Sequence, residues 1–181
     1  MTTWKIDPAH SEVSFKVKHM VISTVVGSFK TFDASILING EDFSDAIIRF
    51  EANINSINTK NEQRDAHLKS ADFFDAENHP KMTFESTSVK KISDFELQAK
   101  GNLTLRGVTK EVTLDVIYNG TVSGFGGSEI AGFEVRGKVN RFDYGLQWNA
   151  LTEAGGVVVS NEVKIEILAE FNKAQEAIKA A

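Results

Sequence analysis

Four histidines are the residues of this chain whose chemistry could bind a metal ion or move protons: His10, His19, His67 and His79. No two of them stand three or four positions apart, the spacing that places two ligands on one face of a helix. The chain has no cysteine, which excludes thiolate metal sites, disulfides and cysteine nucleophiles. The histidine spacing therefore predicts neither a metal site nor a cofactor.

Arg64, Asp65 and His67 could imitate an acid–base set. They lie in a stretch that loses strand-like alternation and predicts a short helix from about Thr59 to Ser70. Adjacent residues point about 100° apart around a helix, so Arg64 and Asp65 cannot converge on one substrate. The pattern favours a salt-bridged helix surface, and no Gly-x-Ser-x-Gly elbow is present. These residues therefore do not require that the protein be an enzyme.

His19 ends the run Val13–His19 on its apolar side, so we expect it to point inward. Two interpretations stay open for it. It could be a hydrogen-bonded interior histidine, or a polar contact inside a ligand cavity, because barrels of eight strands often keep a cavity.

Period-2 alternation dominates the rest of the chain and indicates half-buried strands. The best case is 157–167, where odd positions are mostly apolar and the even positions from 160 to 166 are polar. About eight such segments predict a small closed barrel. They lie at 13–18, 35–38, 50–55, 82–86, 96–100, 111–116, 133–139 and 157–167.

Two Asn-Gly pairs, Asn39-Gly40 and Asn119-Gly120, are typical of hairpin tips or tight turns. The doubled aromatic Phe73-Phe74 follows the predicted helix and could anchor it over one end of a barrel. We expect a single domain over 1–171, and a tail over 172–181 that adds a marginal helical turn or frays.

Composition narrows the possible partners. The chain has thirteen Phe but only two Tyr and two Trp, which predicts a strongly apolar interior. The net charge is −5 and no basic run exceeds Lys90-Lys91, so nucleic acid is a poor candidate. No window is long and apolar enough to span a bilayer, and the N-terminus has no export pattern. We expect a cytoplasmic protein, or a periplasmic one if an export signal has been trimmed.

Several motifs, in this order, resemble those of the YceI-like family over Trp4 to about Phe171. They are Trp4-Lys-Ile-Asp-Pro-Ala-His10-Ser11, Phe15-Lys-Val-Lys-His19-Met20, Val26-Gly27-Ser-Phe29, 64–74, 101–110 and Arg141-Phe-Asp143-Tyr-Gly145-Leu146. The resemblance implies an eight-stranded antiparallel, lipocalin-like β-barrel with a short helix near an open end. It also implies a deep apolar pocket for a long isoprenoid chain or related lipid, and a homodimer.

The expected function is non-enzymatic carriage or sequestration of such a lipid, for example a polyprenyl chain or a quinone tail. Twelve residues are predicted to face the interior of the barrel and bind the ligand: Phe15, Val17, His19, Phe29, Phe84, Leu103, Leu105, Leu114, Val116, Phe133, Val135 and Phe142. The entrance is predicted at Arg64, His67, Phe73 and Phe74. Two alternatives remain open: a lipid-modifying enzyme that uses His19 with Arg64 or His67, and a structural barrel with a solid core.

Overall fold

A computed structural model describes residues 1–40, 42–153 and 155–174. These residues form one antiparallel sheet and one α-helix. The strands are β1 (Thr2–Ile6), β2 (Glu12–His19), β3 (Ser23–Phe29), β4 (Phe32–Ile38), β5 (Ile47–Asn53), β6 (Ile57–Asn58), β7 (Lys81–Lys91), β8 (Glu96–Leu105), β9 (Val108–Ser123), β10 (Glu129–Asn140) and β11 (Val159–Lys173); the helix is α1 (Glu62–Lys69).

The eleven strands trace eight walls of a closed barrel, because three walls are each interrupted once. β1 and β2 form the first wall, β3 and β4 the second, and β5 and β6 the third. The register shows this, since β4 pairs with both β1 and β5, while β3 pairs with both β2 and β6. β11 closes the ring against β1 at Phe171 and against β2 at Ile165. The predicted eight-stranded antiparallel barrel is confirmed.

Helix α1 is shorter than the predicted span from Thr59 to Ser70. Asn61 caps it, because its side-chain oxygen accepts a hydrogen bond from the Arg64 backbone N–H at 2.8 Å. At the other end, the Ser70 N–H donates to the His67 carbonyl, and Ser70 has extended backbone angles. None of the eight helical residues is buried. No helix among the described residues is long and apolar enough to cross a membrane.

The predicted Asn-Gly turns differ from the structure. Asn119-Gly120 lies inside β9, where the pairing with β10 slips at Gly132 and Phe133, so the pair forms a bulge rather than a hairpin tip. Asn39-Gly40 opens a longer loop before β5, held by Asp45, whose carboxylate accepts from both N–H groups. The two-residue hairpin joins β8 to β9 through Arg106 and Gly107, and both have positive φ.

The C-terminal segment also departs from expectation. Asn172 and Lys173 belong to β11 and pair with β1, so the barrel continues beyond residue 171. The rest of the predicted helical tail, 175–181, lies outside the described residues.

The barrel interior holds two clusters of buried apolar residues at opposite ends. One surrounds Trp4, Ile36, Phe133 and Phe171, next to the loop between β4 and β5; we call this the floor end. The other surrounds Ile54, Met82, Leu105 and Tyr144, next to α1; we call this the helix end.

Candidate functional site

An internal cavity of about 220 Å³ runs between the two clusters and touches residues from both. Its walls are almost wholly apolar: among the described residues that line it, all except Ser14 and Arg141 have hydrocarbon or aromatic side chains or a thioether. Nine of the thirteen phenylalanines line it. Alternation in a closed barrel explains this, because every second side chain of each wall points inward.

Ten of the twelve predicted ligand-binding residues line this cavity. They are Phe15, Val17, Phe29, Phe84, Leu103, Leu105, Leu114, Val116, Phe133 and Val135. Their role in binding a ligand stays a prediction.

His19 and Phe142 do not line the cavity, although both are predicted to face inward. His19 is the last residue of β2, beside the turn that leads to β3, and its backbone carbonyl accepts from the Ser23 hydroxyl at 3.2 Å. Phe142 lies in a 3₁₀ turn, Arg141–Tyr144, where the two-residue period has ended. The half-buried Phe142 ring instead lies 4.7 Å from the Arg141 guanidinium.

The floor end is closed by Phe43, which comes from the loop between β4 and β5. Its buried ring packs against Trp4, Tyr118 and Phe133, with ring centroids 5.5, 5.3 and 4.9 Å away. The loop is shaped by Asp42, whose carboxylate accepts from the Ser44 backbone and hydroxyl. Sequence reasoning missed Phe43 because it stands among polar residues with no alternation around it.

The helix end is covered by α1 and by the segment that follows it. Phe73 and Phe74 both line the cavity, as does Leu68 of α1. Phe74 meets Phe29 edge-on at 6.1 Å, and Phe73 lies 5.3 Å from Trp148. Two of the four predicted entrance residues therefore border the cavity directly.

Arg64 and His67, the other two predicted entrance residues, do not line it. Arg64 donates to the hydroxyl and the carbonyl of the buried Thr59, both at 2.7 Å. His67 is hydrogen-bonded to Asp72 at 2.9 Å and its ring meets Phe73 and Trp148 edge-on. None of His19, Arg64 and His67 lines the cavity, and Arg64 and His67 bind different partners. The structure therefore does not assemble the three into one set of reacting groups.

Arg141 is the one charged residue among the described lining residues. Only 4% of it is exposed, and it has no carboxylate partner in the described part of the chain. Its guanidinium donates to the carbonyls of Leu146, Trp148, Val159 and Ser160 at 2.6 to 3.2 Å. Burial lowers the pKa of Arg141, but a guanidinium remains charged at neutral pH.

This arrangement has a structural and an electrostatic consequence. Leu146 and Trp148 lie in the segment between β10 and β11, and Val159 and Ser160 are the first two residues of β11. Arg141 therefore fastens that segment and the start of β11 over the helix end. Four of its five N–H groups are used, which leaves one N–H of Nη2 without an acceptor in the described residues. The cavity is therefore apolar along its length with one positive charge at the helix end. Sequence reasoning missed this residue because an arginine after an alternating strand resembles a surface charge.

Tyr144, from the same 3₁₀ turn, is 1% exposed. Burial and the neighbouring Asp143 carboxylate raise the pKa of its hydroxyl to about 12. The hydroxyl has no hydrogen-bond partner among the described residues. Since Tyr144 does not line the cavity, it belongs to the packing of the helix end.

One histidine, His10, does join a group with ligand chemistry. Its Nδ1 lies 3.0 Å from Asp7 and 3.7 Å from Glu170, and the three ligand atoms are within 4.8 Å of one another. The hydrogen bond that His10 donates to Asp7, with the charges of Asp7 and Glu170, raises the pKa of His10. The sequence prediction of no metal site rested on ligand spacing along the chain, and Glu170 could not be placed beside His10 because β11 brings it from the other end of the chain.

The fold and the cavity define a closed antiparallel β-barrel that encloses an apolar chamber, an architecture that can hold a small hydrophobic molecule. The sequence profile of the YceI-like domain matches residues 4–171. The chain therefore belongs to the YceI-like family. It is 43% identical over 175 residues to UPF0312 protein SA2479 of Staphylococcus aureus N315, which covers 95% of this chain and 98% of that protein.

Solved structures agree with this assignment. The Campylobacter jejuni YceI protein is 32% identical with a TM-score of 0.76, over 87% of this chain and 90% of that one. BcnA of Burkholderia cenocepacia shares the fold at 20% identity and a TM-score of 0.79, over 91% and 98% of the two chains. A polyisoprenoid-binding domain from Saccharophagus degradans shares the fold at 15% identity and a TM-score of 0.65. The match covers 94% of this chain and 98% of that one.

Proposed function

We propose that this protein binds a long-chain isoprenoid-type lipid, such as a polyprenyl chain or a quinone tail, and carries or sequesters it without chemical change. The observation that carries the proposal is the cavity, which joins both ends of the barrel and is lined almost wholly by apolar side chains. Each buried CH₂ group contributes about 0.8 kcal/mol, so a hydrocarbon chain can bind such walls with few polar contacts.

Two other findings support a chain-like lipid. The chain belongs to the YceI-like family, and the resemblance to that family implies a pocket for a long isoprenoid chain or related lipid. The Saccharophagus degradans domain, which shares the fold, is described as polyisoprenoid-binding, so this barrel architecture is compatible with such a chain.

Arg141 would orient the bound lipid. A polar or negatively charged end would be stabilised by the buried guanidinium and its remaining N–H, while the hydrocarbon would extend towards Phe43. Arg141→Lys keeps the charge but loses the planar set of donors, so it should weaken binding of a lipid with a polar end more than binding of the bare hydrocarbon.

The lipid would enter at the helix end. Lining residues there, such as Val17, Val139 and Val163, are half-buried, whereas lining residues at the floor end, such as Ala46, Phe133 and Phe171, are buried. Because α1 buries none of its own residues, displacing it costs less than opening a hydrogen-bonded wall. We propose that α1 and Phe73-Phe74 form the gate.

Organic extraction of gently purified protein followed by mass spectrometry tests the function. Recovery of a long isoprenoid, or uptake of added quinone or polyprenol by the stripped protein, would support it. If no hydrophobic compound is recovered and none is taken up, the barrel has a solid core and the proposal is wrong. If a bound lipid changes chemically with time, the protein is a lipid-modifying enzyme, and carriage without change is wrong.

We also propose that the protein forms a homodimer. Both edges of β11 are paired within the barrel, so two copies would pack through an outer face rather than extend the sheet. Val26 of β3 and Leu168 of β11 are exposed on that face at 48% and 55%. Sedimentation at about tens of micromolar should give a dimer mass, and Leu168→Glu should reduce it. A monomer mass for the unchanged protein would contradict the homodimer.

A further inference from the structure

Three glycines stand at positions of the barrel wall where alternation would point a side chain into the cavity. They are Gly27 of β3, Gly101 of β8 and Gly137 of β10. Each lies beneath a large lining side chain from the neighbouring wall: Phe15 over Gly27, Phe84 over Gly101 and Leu114 over Gly137. The large side chains thus lie against the wall instead of crossing the lumen.

A methyl group in place of the glycine hydrogen would occupy the position where the large side chain now lies. On Gly27 it would lie 2.6 Å from Phe15 Cε1 and closer still to Cζ. On Gly137 it would collide with Cδ2 of Leu114. In both cases the nearest obstacle is the far end of a side chain, which can rotate into the lumen while the backbone stays in place.

Gly101 is different, because a methyl group there would also collide with the backbone carbonyl oxygen of Glu85. A substitution at Gly101 would therefore disturb the sheet itself. Gly27 and Gly137 are the positions where the width of the lumen can be changed with little change to the wall.

Strand pairing links these positions. Gly27 is paired with Phe15, Phe15 with Ile165, and Ile165 with Gly137, across β3, β2, β11 and β10. Two glycines thus lie on one belt across four neighbouring walls, defined here as Gly27, Phe15, Ile165 and Gly137. Two of the four belt positions thus carry no side chain, which leaves room for Phe15 and Leu114 to lie against the wall.

We propose that Gly27 and Gly137 determine the width of chain that this barrel accepts, by letting Phe15 and Leu114 lie flat against the wall. An isoprenoid chain bears a methyl branch at regular intervals and is wider than a straight alkyl chain. The part of the lumen that stays open when Phe15 and Leu114 lie flat would admit those branches. The proposal rests on the proposed function, and it names the residues that would select a branched chain over a straight one.

The test compares geranylgeraniol with hexadecanol, alcohols whose main chains have the same length. Geranylgeraniol carries the methyl branches and double bonds of an isoprenoid, and hexadecanol carries neither. Gly27→Ala and Gly137→Ala should each weaken geranylgeraniol binding by about tenfold or more, with less than about a threefold change for hexadecanol. Gly132→Ala is the matched control, because a methyl group there meets only Asn119 at an ordinary 3.6 Å. Adding Phe15→Leu to Gly27→Ala should restore geranylgeraniol binding, since the shorter side chain clears the lumen.

Equal losses for both alcohols in Gly27→Ala, an equal loss in Gly132→Ala, or no rescue by Phe15→Leu would overturn the proposal. If the unchanged protein binds neither alcohol nor any other isoprenoid, the proposed function fails instead. A crystal structure of Gly27→Ala separates the two outcomes. A Phe15 ring turned into the lumen supports the role of Gly27 in setting the width, and a ring still against the wall contradicts it.

Discussion

The two ends of the barrel are closed by different means. At the floor end, Phe43 is buried among Trp4, Tyr118 and Phe133, and the cover is part of the hydrophobic core. At the helix end, α1 buries none of its residues and the half-buried Trp148 packs on Phe73 and His67.

The difference separates a structural plug from a displaceable cover. Removing a buried ring leaves a void among packed neighbours, which costs far more than uncovering a side chain already in contact with water. One end can therefore stabilise the barrel while the other opens. The two ends should therefore differ in how much each stabilises the fold and in how readily each opens.

The largest effect is expected at Phe43. Phe43→Ala should lower the free energy of unfolding by about 3 to 5 kcal/mol, because the floor cluster cannot collapse around the void. Trp148→Ala should cost only about 1 to 2 kcal/mol, the worth of its ring contacts at the helix end. Denaturant melts measure both. Phe95→Ala is the control, since Phe95 is 65% exposed; equal costs for Phe43 and Trp148 would remove the distinction between the ends.

Phe15→Ala should have an intermediate effect, because the Phe15 ring is half-buried and borders the cavity. In the lipid-free protein it should cost clearly less than the about 3 to 5 kcal/mol of a packed core phenylalanine, while lipid retention falls. A melt of the stripped variant beside a lipid titration gives both quantities. A full core-sized cost with unchanged lipid affinity would show that Phe15 only packs the fold.

A smaller difference is expected in local opening. Amides of α1 should exchange with solvent at least about tenfold faster than those in the middle of β11, and added lipid should slow exchange in α1. Hydrogen exchange followed by mass spectrometry resolves the two segments. If α1 is as protected as β11 both with and without lipid, α1 is not the gate.

The smallest effect concerns the contact between Asp7 and His10, which belongs to neither end. Asp7 raises the pKa of His10 above its ordinary 6.5, and His10 lowers the pKa of Asp7 below 3.8. The stabilisation from His10 is complete below pH 6.5 and is lost as pH rises through its raised pKa. The stabilisation from Asp7 is present above pH 3.8 and is lost as pH falls through its lowered pKa. The contact therefore stabilises most between these values.

Proton NMR of the His10 ring measures this directly. Asp7→Asn keeps an oxygen that can accept from the Ala9 N–H but removes the charge, so the pKa of His10 should fall towards its ordinary value. A His10 pKa that does not change in this variant would show that Asp7 is not the cause of the shift.

Alternation predicted much of this architecture because, in a closed barrel, every second side chain of each wall points inward. That rule placed Phe15, Leu103 and Val135 on the cavity. It failed for His19 at the tip of β2. Phe142, which is also predicted to face inward, lies in a 3₁₀ turn beyond the end of β10.

Other features depend on contacts that a local pattern does not contain. Phe43 became the plug because Asp42 and Asp45 shape its loop. Arg141 is buried because four carbonyls from a later segment surround it. The role of Gly27 and Gly137 depends on Phe15 and Leu114, which neighbouring strands place over them.

Native mass spectrometry of the stripped protein with one long polyprenol tests most directly whether the lumen holds a lipid. Val135→Trp fills the lumen, since Val135 lines the cavity, whereas Lys138→Trp places the same ring on the exposed face of β10. We expect one polyprenol per barrel for the unchanged protein and for Lys138→Trp, and loss of the complex in Val135→Trp. No complex with the unchanged protein, or full binding by a folded Val135→Trp, would contradict it.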